Sequence, residues 1–199
     1  MVALAVVAIR SGHEIVTRLD EYQAATREYA DLREQVKTQN DTADTASETG
    51  GIDFEALRAI NSNVVGWIVV PGTDISYPIV QGTDNDHYLR RTFAGEQNSS
   101  GTIFMDYRNS ADFSDRQTIL YGHNMRDGSM FAPLHGWTGD HFVIHTPDGV
   151  LEFGVFHRQT VVATHEIYQL HDTEDGMRTV TLSTCVSGQR NMRYIVQGR

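Results

Sequence analysis

The chain of 199 residues holds a single cysteine, Cys185, and its neighbours make it the first candidate for chemistry. It closes the stretch Thr181-Leu182-Ser183-Thr184-Cys185. The alternating residues 179–183 read as a half-buried β-strand. A polar, glycine-containing stretch follows over 186–191, and a second strand is predicted over 193–196. The thiol is therefore expected where a strand leaves a sheet. Such a thiol can be a nucleophile, but free cysteine is also among the most buried residue types, and inert packing is the alternative. His123 follows another predicted strand, 118–122, and Arg193 opens the strand after Cys185. These types form a chemical set. A thiol attacks as thiolate, a form favoured by a nearby imidazole or guanidinium. A histidine can pass a proton to a leaving amine. An arginine carries a permanent charge on a rigid fork of donors, suited to holding a carbonyl and the oxyanion made from it. Spacing alone does not single out this trio in a chain with nine histidines.

Other chemistries are less well supplied. His141 and His145 would share one face of a strand, but there is no HExxH and no carboxylate at ligand spacing, so no metal or other cofactor is expected. His13, His87, His135, His157, His165 and His171 read as surface or loop residues, and Trp67 and Trp137 as packing. A net charge of −10 argues against nucleic acid, which needs clustered cations. It reads as a solvated acidic surface, with no calcium loop of EF-hand type. One cysteine permits no internal disulfide.

The elements that must position the trio follow in order. Residues 1–9 (MVALAVVAI) are an unbroken apolar run, too short for the ~20 residues that span a bilayer. The run lacks the basic start and cleavage site of a signal peptide. It is either the trailing end of a membrane anchor or the first turns of a soluble helix. Residues 10–37 form an amphipathic helix, with Ile15, Leu19, Tyr22, Tyr29, Leu32 and Val36 at helical steps. That face suits packing on its own domain or on a partner helix, and the helix could also act as a spacer. Residues 38–51 carry almost no apolar surface and read as a flexible linker. A compact domain is expected over 52–199, opening with a short helix capped by Asp53 that contains Phe54, Leu57 and Ile60. Strands are predicted over 64–70, 75–80, 102–105, 118–122, 142–144, 150–156, 160–163, 179–183 and 193–196. Short helical pieces fall over 86–91 and 129–134. Many short strands separated by turn signals indicate a β-barrel or sandwich with a few helices.

The motifs go further than the spacing. TLSTC with Arg193 eight residues on, together with ILYGHNMRDGSMF (119–131), resembles the sortases, and their class B branch in particular. FEALRAINSNVVGWIVVPGTDISYPIVQGTDNDHYL (54–89), GTIFMDYRN (101–109) and NMRYIVQGR (191–199) are similar to further segments of that class. The resemblance covers nearly all of 53–199. It implies a closed eight-stranded β-barrel with peripheral helices. It also implies a cysteine transpeptidase on the outer face of a Gram-positive cell membrane, held by an N-terminal anchor. Such enzymes cut a sorting motif of a secreted protein after its threonine, hold the fragment as a thioester, and pass it to an amine of the cell-wall precursor. By position, the resemblance makes Cys185 the nucleophile, His123 the general acid/base and Arg193 the oxyanion and orienting residue. It places Asn85, Leu89, Tyr121 and Ser183 along the peptide groove.

The chain departs from the family pattern in two places. Class B enzymes carry a long helix ahead of the TLSTC strand, where this chain has only residues 169–178, and that region forms one wall of the groove. The stretch 186–191 lacks the expected aromatic, and Arg190 is a rival for Arg193. Three other functions stay beside the first: pilus assembly with a pilin lysine as the amine, a papain-like protease, and a non-catalytic surface module with a buried cysteine. Papain-like enzymes place Cys before His, the reverse of the order here.

Overall fold

A computed structural model describes residues 20–35, 51–170 and 176–199. Residues 20–35 are helical, and we call this helix α1. Its inner stripe, Ala25, Tyr29 and Leu32, is buried in the main core, with Tyr22 partly buried beside it. The helix therefore lies on the barrel and is not a free-standing spacer. The Tyr29 hydroxyl donates to Gly101 O at 2.7 Å and lies 3.1 Å from Thr102 Oγ1. Asn98 Nδ2 donates to Glu21 O, and Ala94 N to the Glu28 carboxylate. The apolar run 1–9, the predicted ends of this helix and nearly all of the predicted linker lie outside the described residues. Helix α2, Phe54–Ile60, is capped as expected: Asp53 accepts from Ala56 N at 2.9 Å, and Phe54 and Leu57 are buried.

Eight strands close a barrel. They are β1 (Val64–Val69), β2 (Ser76–Gln81), β3 (Ile103–Met105), β4 (Gln117–Tyr121), β5 (His141–Thr146), β6 (Gly149–Val162), β7 (Thr179–Val186) and β8 (Gln189–Gly198). Their order around the barrel is β1-β2-β3-β4-β7-β8-β6-β5, with β5 returning to β1. Two of these pairings are parallel, β2 with β3 and β4 with β7. The second is decisive for the site. In a parallel pair both strands end at the same rim. Gln117↔Thr179 through Tyr121↔Ser183 are in register, so the residues that follow Tyr121 and Ser183 emerge side by side.

The sequence reading differs from the structure in three ways. The segments 150–156 and 160–163 are one strand, β6, whose first half pairs with β5 and second half with β8 across a register shift between Val155 and His157. The polar interval His157-Arg158-Gln159 interrupts the hydrophobic alternation yet is fully laddered to β8. Next, the stretch expected as a loop after Cys185 is mostly strand: β7 runs on to Val186, β8 begins at Gln189, and only Ser187-Gly188 turn between them. Cys185 therefore lies within β7, one residue before its end. Finally, the short helical pieces are single 3-10 turns at His87–Arg90 and Ala132–His135. Pro133 lies inside the second, where its missing N–H has no partner to lose.

Gly122 sits between β4 and His123 and has no room for a side chain. A Cβ there would stand 2.5 Å from Ile103 Cδ1 and 2.6 Å from Phe131 Cδ2, both in fully buried side chains. Gly122→Ala is expected to cost about 2 kcal/mol or more by overpacking. Chemical denaturation checks it, with the midpoint moving to lower denaturant.

Candidate active site

One cleft of about 300 Å³ opens at the rim where β4, β7 and β8 meet the connecting loops. All seven residues singled out from the sequence line it: His123, Cys185, Arg193, Asn85, Leu89, Tyr121 and Ser183. Tyr168 and Thr184 also line it and were not foreseen.

Cys185 is exposed, whereas Thr179 through Thr184 are all buried. β7 thus passes from core to rim in one residue and presents the only thiol to solvent. The alternative of a buried, inert cysteine is corrected by this exposure. Across the ladder, Arg193 is the direct partner of Cys185. Its Nη1 donates to Arg190 O at 3.0 Å and Met192 O at 2.9 Å. Arg190, the rival, is exposed near the turn and is not among the lining residues.

His123 is held along the Nε2–Cδ2 edge of its ring. Its Nε2 lies 2.7 Å from Leu89 O. A carbonyl only accepts, so Nε2 carries a proton and, in the neutral ring, Nδ1 is the acceptor. A Cβ on Gly101 would come within 3.2 Å of His123 Cδ2 and within 2.9 Å of the Tyr88 and Leu89 carbonyls. Gly101 also has φ +61, a conformation glycine adopts without strain. The imidazole thus rests on a glycine that Tyr29 of α1 fastens from behind.

A buried carboxylate organises one wall of the cleft. Asp106 is fully buried and takes Arg108 in a fork, Nε to Oδ1 and Nη2 to Oδ2, both at 2.8 Å. It also accepts from Tyr121 Oη at 2.9 Å and Asn85 Nδ2 at 3.0 Å. Two predicted groove residues are therefore aimed by one acid. Arg108 continues to Tyr168 O at 2.9 Å, and Tyr168 Oη meets Ser183 Oγ at 2.8 Å. The Tyr168 ring stacks parallel to Tyr121 at 6.3 Å. Tyr168 belongs to a 3-10 turn, Glu166–Gln169, that leads into the shortened segment 169–178 ahead of β7. Residues 171–175 of that segment lie outside the described residues. No composition signal marks Tyr168; the placement of Asp106 directly after the apolar strand β3 is the one hint the sequence held.

Burial alone would raise the Asp106 carboxyl, but hydrogen bonds from Arg108, Tyr121 and Asn85 outweigh it and hold it below the usual carboxylate range. Burial, and then the Asp106 charge, push the Tyr121 phenol up, and burial raises Tyr168, so both stay protonated. The sign for stability follows. A carboxyl depressed in the fold contributes fully above the unfolded value near pH ~4, and that contribution is lost as pH falls through the lower folded value. Asp106→Asn is expected to cost about 3 kcal/mol at neutral pH, since buried donors lose their acceptor. It should also flatten the acid limb of a plot of thermal midpoint against pH.

The chain matches the family model described as "Sortase domain" over residues 68–199. It is 40% identical over 121 residues to sortase B of Listeria monocytogenes, an alignment covering 61% of this chain and 47% of that protein, so the chain spans about half the length of that relative. The structure resembles a Staphylococcus aureus sortase B–substrate complex with a TM-score of 0.74 and 25% identity, over 89% of this chain and 96% of that one. It also resembles a Streptococcus pyogenes class B sortase involved in pilus biogenesis, with a TM-score of 0.65 and 32% identity, over 74% of this chain and 97% of that one. The closed barrel, the cleft at its rim and these matches agree: the chain belongs to the sortase family, on its class B side.

Proposed function

We propose that this chain is a cysteine transpeptidase that cleaves the C-terminal sorting motif of secreted proteins after its threonine and transfers the acyl fragment to an amine of the cell-wall precursor. The observation that carries this reading is the exposed Cys185, paired directly across β7–β8 with Arg193, in one cleft with His123.

The reaction proceeds in two halves. Cys185 Sγ, as thiolate, adds to the threonine carbonyl, and the charge forming on the carbonyl oxygen is stabilised by the Arg193 guanidinium. His123 gives a proton to the departing amine as the C–N bond breaks, leaving a thioester on Cys185. The acceptor amine then loses a proton to His123, forms the new amide and releases the thiolate. Asn85 and Tyr121, fixed by Asp106, and Leu89 and Ser183 hold the peptide along the cleft. The similarity to a sortase B solved with its substrate supports a peptide in this position.

The reading places the enzyme on the outer face of a Gram-positive cell membrane, with the apolar run 1–9 as part of an N-terminal anchor. A lone cysteine suits that oxidising side, because no second thiol can trap the nucleophile as an internal disulfide. The likeness to a class B sortase involved in pilus biogenesis supports a second reading, in which the acceptor is a pilin lysine.

Intact-mass spectrometry of the protein with a library of sorting-motif peptides tests the first half. A mass gain equal to the N-terminal fragment is expected, and none with Cys185→Ala. His123→Ala and Arg193→Ala should each lower the rate about a hundredfold or more, while Arg190→Ala leaves it essentially unchanged. Full cleavage by Cys185→Ala would overturn the mechanism. Supplying a wall-precursor amine or a pilin lysine to the thioester separates the two acceptors.

A further inference from the structure

The strand end that bears Cys185 is poorly held by its own sheet. On one side, the β4–β7 register ends at Tyr121↔Ser183, followed by one more bond, Gly122 N to Ser183 O at 3.1 Å. On the other side, Cys185 pairs with Arg193 but Val186 pairs with Gln189, so residues 190–192 bulge from β8. Cys185 thus sits where both flanking ladders lose their regularity, since a bulge interrupts the ladder locally.

Two side chains from the connection after β4 take over. Asn124 Nδ2 donates to Cys185 O at 2.9 Å, and His135 Nε2 meets the same oxygen at 3.0 Å. A carbonyl has two lone pairs and can accept both when His135 Nε2 carries the ring proton; with the proton on Nδ1, Nε2 instead accepts from Asn124 Nδ2, 3.1 Å away, and braces the amide that holds Cys185 O. The Asn124 amide also reaches Ser187 Oγ at 3.2 Å in the turn beyond β7. The His135 ring stacks on Tyr194 of β8 at 4.8 Å. The first of these residues is the immediate neighbour of His123 in the chain. Neither lines the cleft, so neither is placed to touch substrate.

We infer that Asn124 and His135 clasp the Cys185 carbonyl, tie the nucleophile's strand end to the loop that carries His123, and thereby set the geometry of the Cys–His pair. They are positioning residues, and the inference rests on the reading of Cys185 and His123 as that working pair. The clasp acts on the backbone beneath the reacting sulfur, where small displacements are costly: a shift of about 1 Å can cost a hundredfold in rate.

The test separates the hydrogen bond from the ring stack. His135→Phe keeps a ring for Tyr194 but removes the donor. His135→Gln keeps an N–H donor but removes the ring. Asn124→Ala removes the other donor. Each full-length variant is assayed for kcat and KM on a cleaved peptide, and for alkylation of Cys185 by iodoacetamide at neutral pH, with His123→Ala as reference. His135→Phe and Asn124→Ala are expected to lose about tenfold in kcat with KM little changed. Their alkylation rates should fall towards that of His123→Ala, and His135→Gln should recover most of both. If His135→Phe behaves as wild type while His135→Gln is impaired, the stack and not the clasp matters, and the inference is overturned. Equal rates in all three variants overturn it as well. Should no peptide be cleaved by the wild type, the transpeptidase reading fails by itself, and the alkylation series still decides for or against the clasp.

Discussion

Everything at this site depends on the parallel pairing of β4 and β7. Two strands that run the same way deliver their ends to the same rim, and here the paired register stops at Tyr121 and Ser183, two residues before His123 and Cys185. An antiparallel pair would put the two residues at opposite ends of the barrel. The five paired positions are held mainly by backbone bonds and by burial of Thr181, Leu182, Ile119 and Leu120. The core thus sets the register, and the register sets the chemistry. On the far side of β7, the antiparallel β8 brings Arg193 opposite Cys185. A single strand with unlike neighbours gathers three side chains that the chain carries as much as 70 residues apart.

The cleft wall obeys a different constraint. Asp106 is a charge with no contact to solvent, and such a charge persists only if its lone pairs are filled. Arg108, Tyr121 and Asn85 fill them. Satisfying the acid has the side effect of fixing two groove residues in orientation, and Arg108 extends the same chain of bonds to Tyr168. The groove is therefore rigid on the side of Tyr121, Tyr168 and Ser183. Arg193, by contrast, spends its Nη1 on the carbonyls of the β8 bulge, so the guanidinium is anchored to backbone through that nitrogen.

The amino-terminal helix contributes to the same end. Tyr29 closes on Gly101 and Thr102, and Gly101 lies beside the Cδ2 edge of the His123 ring. Leu89 O accepts the hydrogen bond from Nε2 at the same edge of the ring. The histidine is thus oriented by a chain of contacts that begins outside the barrel. Amphipathic spacing predicts that this helix buries a face, and the structure shows that the face is spent on the site's support.

How much was legible beforehand follows from the range of the interactions. Strand and helix positions depend on neighbours two to four residues away, so alternation, caps and turns were readable, and the misreadings fell where local pattern and ladder disagree, as at His157–Gln159 and at the turn after Cys185. The residue types of the trio suggested thiol chemistry, and the motifs around them, not their spacing, pointed to the right family and to seven residues of one cleft. The roles of Tyr168, Asn124 and His135 were not readable, because their bonds join residues far apart in the chain: Arg108 meets Tyr168 across 60 positions, Asn124 meets Cys185 across 61 and His135 meets it across 50. By itself, then, the sequence determined most of the elements, the family and which residue types are on offer for chemistry, since these are properties of local pattern and side-chain type. Only the tertiary structure decided that the thiol is exposed, which arginine faces it and what holds it in place, since these depend on which distant backbone atoms the closed barrel brings within hydrogen-bond reach.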